Sequence, residues 1–130
     1  MTIPTVLCGS LLCAVLLSVA QDSTSSVIAC NSKAIGVADR PRYNDLAKRL
    51  RLAIRNRNEI RDGYTFKLDG QALSLPEVAD WISMERLCCP FLNFQLSASG
   101  NQSDWDLKLT GPKGVKALLK AEFLGVRRVE

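Results

Sequence analysis

The apolar positions of this chain fall into short runs of two different periods. Behind Asp39-Arg40-Pro41, the residues Tyr43, Leu46, Ala47, Leu50, Ala53 and Ile54 recur at three- and four-residue steps. They predict an amphipathic helix that Arg61-Asp62-Gly63 breaks off. Tyr64, Phe66 and Leu68 alternate with Thr65 and Lys67, the pattern of a half-buried strand, and Asp69-Gly70 turns the chain. Ser74-Leu75-Pro76-Glu77 has the spacing of a capping box, in which hydroxyl and carboxylate each satisfy one backbone donor. A second helix is therefore expected from Leu75 to about Cys88. Pro90 cannot donate a hydrogen bond and disfavours helical geometry at Cys89, so the helix should stop at the cysteines.

Leu92, Phe94 and Leu96, then Trp105, Leu107 and Leu109, alternate on either side of the polar loop 97–104, which predicts a hairpin. After Thr110-Gly111-Pro112, a last helix places Val115, Leu118, Leu119 and Phe123 on one face. With Val27–Cys30 read as an entering strand, the order is β-α-β-α-β-β-α. One apolar stripe per helix and too few strands for a sandwich point to the α+β class, with a small, largely antiparallel four-stranded sheet carrying helices on one face.

The first twenty residues differ from the rest. Residues 1–20 carry no charged side chain, and Val6–Ala20 is an apolar run closing on Ser18-Val19-Ala20, a small-x-small cleavage pattern. This reads as an export signal cut before Gln21, followed by a polar linker 21–26, a domain 27–124 and a tail 125–130. The alternative is a membrane anchor left uncleaved, because the leader has only its terminal amine for positive charge. The expected location is periplasmic or secreted.

Charge and composition narrow the chemistry. The chain has 130 residues, a formal net charge of +4 and no histidine. Ser-His-Asp and Cys-His catalytic sets, and zinc sites that need histidine, are thereby excluded. Export would also leave Cys30, Cys88 and Cys89 in an oxidising compartment.

These cysteines are the distinctive chemistry. On a helix, Glu85 stands three residues before Cys88 and four before Cys89, so the carboxylate reaches the surface that bears both sulfurs. Several readings are open. Cys30 joins Cys88 or Cys89 in a disulfide, leaving an odd thiol; or Cys30, Cys88 and Cys89 converge as a soft ligand set for Cu(I), Hg(II) or trivalent arsenic; or Cys88 and Cys89 cycle between dithiol and disulfide. The competing structural reading is that the cysteines only pack in the core or staple it, in a domain built for structure or protein interaction. A helix C-terminus and Glu85 both raise a thiol pKa, and no activating base is visible, so an enzyme stands behind these readings.

The block Glu85-Arg86-Leu87-Cys88-Cys89-Pro90-Phe91, followed by Leu109-Thr110-Gly111-Pro112-Lys113-Gly114, resembles a family of small, mostly uncharacterised bacterial domains with an E-R-x-C-C-P-F block and a later L-T-G-P-x-G turn. The resemblance spans about Cys30 to Phe123. It implies that Glu85, Arg86, Cys88, Cys89, Pro90 and Phe91 act as a unit, and it implies no particular reaction.

Other features carry plainer readings. Lys48, Arg51 and Arg55 fall at helical spacing and form a basic face open to an anionic partner, against the simpler reading of a solvated helix surface. No aromatic platform interleaves these charges, so nucleic acid is not expected. Thr110–Gly114 lacks the phosphate-loop spacing and reads as a turn and helix cap.

Overall fold

The helix expected behind Asp39 is α1, Arg40–Ala53, in the computed structural model of the chain, which describes residues 28–124. Its buried face is Leu46, Ala47, Leu50 and Ala53, as the periodicity requires. The helix ends earlier than predicted. Ile54–Ile60, expected to continue it, is instead strand β1 and follows Ala53 without a linker. The reason is local: beyond Ile54 the segment Arg55-Asn56-Arg57-Asn58-Glu59 has no apolar residue with which to hold a helix face. Asparagine also competes with helical backbone bonds. Pairing with the next strand satisfies the same backbone groups, and the exposed charges suit a sheet edge.

A second correction concerns the start of the domain. Ile28–Cys30 is not a strand; it leads into a 3-10 turn, Ser32–Ala34, and is tied down where the Asn31 amide donates to the Cys88 carbonyl at 2.8 Å. Its apolar residues Ile28 and Cys30 pack against the core by side chain without joining the sheet. The order is thus α-β-β-α-β-β-α, still with four strands.

The remaining elements are β2 (Gly63–Leu68), α2 (Leu75–Cys88), β3 (Asn93–Ala98), β4 (Trp105–Thr110) and α3 (Val115–Phe123). The sheet runs β1-β2-β4-β3, antiparallel at every pairing. This is the order that results when two α-β-β units join through their second strands. Register explains the single core: Tyr64 lies opposite Leu109 and Phe66 opposite Leu107, while Leu109 and Leu107 lie opposite Phe94 and Leu96. One sheet face is therefore apolar, and the helices cover it. Trp81 of α2 meets Phe94 edge-on at 6.0 Å, and Phe123 of α3 stands 5.6 Å from Phe66 and 6.0 Å from Trp81. The opposite face carries the Lys67–Asp106 ion pair at 2.6 Å and exposed Gln95, Ser97 and Lys108.

The starts of α2 and α3 follow from their local residues. Ser74 and Glu77 form the reciprocal capping box of α2. At α3 the cap is Gly114 with φ 98°, a left-handed conformation that glycine adopts without a Cβ penalty, and the preceding Gly111 amide donates to the Asp62 carbonyl at 3.0 Å. The Thr110–Gly114 stretch is accordingly a turn and a cap.

The basic face does not form as expected. Lys48 and Arg51 are exposed on α1, but Arg55 belongs to β1, where its guanidinium meets Asp69 at 2.8 Å and Asp104 at 3.6 Å. Among the described residues, no helix is long and apolar enough to cross a membrane. The expected signal 1–20, linker 21–26 and tail 125–130, together with Val27, lie outside the described residues.

Candidate thiol site

The site is assembled at the joint between α2 and β3. The helix ends at Cys88 because Pro90 follows so closely, and the Cys89 amide closes the last turn by donating to the Glu85 carbonyl at 2.8 Å. That turn stacks Glu85 beneath both cysteines. Cys30 arrives from the other side on the segment pinned at Asn31. Cys30 and Cys89 form a disulfide with Cα atoms 4.7 Å apart, and Cys88 remains a buried free thiol.

Each polar atom has a defined neighbour. Cys88 Sγ lies 3.5 Å from Cys89 Sγ, and Glu85 Oε1 lies 3.2 Å from Cys89 Sγ. The Cys88 thiol donates to Glu85 Oε2 at 3.8 Å, a long sulfur contact. The Tyr43 hydroxyl, from the first turn of α1, donates to Glu85 Oε2 at 2.5 Å and lies 3.9 Å from Cys88 Sγ. Taken together, the sulfurs of Cys30, Cys88 and Cys89 and one oxygen of Glu85 fall within 4.8 Å of one another. Glu85 is only 6% exposed, and among the described residues it forms no ion pair.

Burial sets the protonation of the cluster. It raises the Glu85 carboxyl above its usual range, although the Tyr43 hydrogen bond pulls the other way. It also pushes the Cys88 thiol up to about 11, with the Glu85 charge adding to the effect. Desolvation first, and the hydrogen bond to Glu85 second, raise the Tyr43 phenol. At neutral pH Cys88 is therefore a thiol, a poor nucleophile toward the adjoining disulfide. The pairing Cys30–Cys89 is not readily shuffled to Cys30–Cys88 from within.

Access is uneven. Cys88 and Cys89 are buried, whereas Cys30 is partly exposed. A cleft of about 350 Å³ is lined by Ser32, Lys33, Ile35, Arg40, Tyr43 and Asn44, of which Tyr43 also contacts Glu85 and Cys88 through its hydroxyl.

The predicted residues divide clearly. Cys30, Cys88, Cys89 and Glu85 come together. Arg86 is exposed beside them and makes no contact with the sulfurs, since its position on the helix faces solvent. Pro90 acts by ending the helix, and Phe91 packs half-buried against the core. Tyr43 is the member that the sequence did not reveal. It counts as one more large residue on the α1 stripe, and only its hydroxyl, facing a buried carboxylate on the next helix, marks it as polar machinery.

No protein-family model, curated protein or solved structure matches this chain.

Proposed function

We propose that this is an exported thiol module in which the Cys30–Cys89 bond opens and closes with the redox state of its surroundings. The carrying observation is the surplus chemistry around the bond. A structural staple needs two sulfurs, yet here a third sulfur and a carboxylate are buried against it within 4.8 Å. Burying a carboxylate without a cation costs stability, and a staple gains nothing from that cost. Of the three cysteines at the site only Cys30 is partly exposed, and it is the point of entry for an outside thiol. Attack there forms a mixed disulfide at Cys30 and releases Cys89, and a second thiol then frees Cys30 while the attacking pair leaves as its own disulfide. The E-R-L-C-C-P-F block, with its conjunction of glutamate, cysteines and helix-ending proline, is consistent with this unit.

A second reading has its own support. The bond closes a loop across a sequence separation of 59 and fastens the leading segment to α2. Such a staple would contribute about 4 kcal/mol by limiting the unfolded chain. The two readings separate by titrating the full chain through a series of thiol–disulfide buffers and locating each alkylated cysteine by tandem mass spectrometry. The redox reading expects one reversible two-electron transition shared by Cys30 and Cys89, with Cys88 a thiol throughout. A bond that resists reduction until the chain is denatured would leave only the staple.

A further inference from the structure

We propose that the reduced site is a receptor for trivalent arsenic, taken up as arsenous acid, with Cys30, Cys88 and Cys89 as its ligands. This rests on the redox reading only for the state that binds.

Three sulfurs converge within 4.8 Å, joined among the described residues by one carboxylate, Glu85, whose Oε2 accepts from the Tyr43 hydroxyl. Sulfur selects soft, thiophilic centres over hard ones. Net charge then discriminates among the soft ones. A divalent ion held by three thiolates leaves a negative complex, and a monovalent one leaves more negative charge still. Cys88, Cys89 and Glu85 are buried, no Lys or Arg among the described residues forms an ion pair with Glu85, and the distant charge of Arg51 is opposed by that of Glu122, so such a complex would sit poorly compensated at low dielectric. A charged Glu85 beside it would deepen the penalty. A divalent ion on two thiolates is neutral but strands the third sulfur. A trivalent centre on three thiolates is neutral and uses all of them. Trivalent antimony shares this chemistry.

The steps balance. Two equivalents of a low-molecular-weight thiol reduce the Cys30–Cys89 disulfide to two thiols and leave as their own disulfide. Arsenous acid then exchanges its three hydroxyls for the three cysteine sulfurs. Each As–O bond breaks as an As–S bond forms, each thiol proton departs with a hydroxide as water, and arsenic keeps its oxidation state. The neutral acid does not have to shed charge to enter. Glu85 stays outside the ligand set, holding the Tyr43 hydroxyl.

The test uses the full chain, reduced with a phosphine that is then removed, and titrated with sodium arsenite. Native mass spectrometry should show one arsenic gained for three protons lost, and Cys30, Cys88 and Cys89 should all become protected from alkylation. Replacing any one of them by serine should weaken binding at least about 100-fold, the upper end of what losing even an outer partner costs a metal site. Protection of fewer than three of Cys30, Cys88 and Cys89 in the unmodified chain, or arsenic held instead by Cys8 or Cys13, would overturn the proposal, and that measurement does not depend on a variant folding. Zinc or cadmium protecting all three at lower concentration than arsenite would overturn it too. Because binding is read on chemically reduced protein, its failure leaves the redox titration standing, and failure of that titration leaves the arsenite result readable.

Discussion

α1 and α2 are each 14 residues long, each carries a proline in its first turn, and each feeds an antiparallel pair of strands, but their last turns differ. Aligned from their ends, Leu50 of α1 corresponds to Glu85 of α2, Ala53 to Cys88, and Ile54 to Cys89. α1 passes straight into β1 at Ile54, whereas Cys89, Pro90, Phe91 and Leu92 lie between α2 and β3. Where one helix buries a leucine and an alanine, the other buries a carboxylate and a thiol. The same scaffold position thus holds apolar side chains in one unit and a buried polar cluster in the other.

The largest expected effect falls on the joint that is tied. Reducing the Cys30–Cys89 bond, or replacing Cys30 by serine, should lower stability by about 4 kcal/mol in urea melts, while α1 has no covalent tie to lose. Next, Leu50→Ala should cost about 3 kcal/mol, since Leu50 is fully buried and leaves a cavity. Its counterpart behaves differently. Tyr43→Phe should cost about 1–2 kcal/mol by leaving the Glu85 carboxyl without its hydroxyl donor. Adding Glu85→Leu to that variant should return stability to within about 1 kcal/mol of the parent or above it, because both polar partners are then gone. A double variant that unfolds would show that Glu85 supports the fold rather than a site.

The smallest effect is a difference in pH slope between two carboxylates on α2. Arg49, and then the Ser74 backbone, hold Glu77 down at about 2. Its contribution is therefore full at neutral pH and drains away as pH falls below the ordinary carboxylate range of about 4.3. Glu85 is raised by burial, so the sign reverses: stability is greatest where it is protonated in both states and is lost as pH rises through its folded value. Glu77→Gln should flatten the acid limb of a melting-temperature profile, and Glu85→Gln the opposite limb. The Glu77 effect should be slight, because the Arg49 pair is partly open to solvent screening.

Much of this contrast was legible in the sequence, and what was hidden has physical causes. The α2 boundaries, its capping box and the shared surface of Glu85, Cys88 and Cys89 follow from helical spacing and from Pro90. The β3–β4 hairpin follows from strict alternation. β1 was hidden because an edge strand needs no apolar alternation, and Arg55 through Glu59 are all exposed. The repeated α-β-β plan was hidden with it. The choice of Cys89 over Cys88 as the partner of Cys30 depends on how the chain turns at the helix end, which spacing alone does not fix. Tyr43 reaches Glu85 only through the packing of α1 against α2, a long-range contact with no local signature.

The most direct test of a bond that opens without dismantling the fold is to compare amide NMR spectra of the full chain, oxidised and reduced. Shifts should be confined to residues 28–32, Tyr43 and the joint from Glu85 to Asn93, with β2 and β4 unmoved. Collapse of the dispersed spectrum on reduction would contradict it and leave the disulfide as a fastening alone.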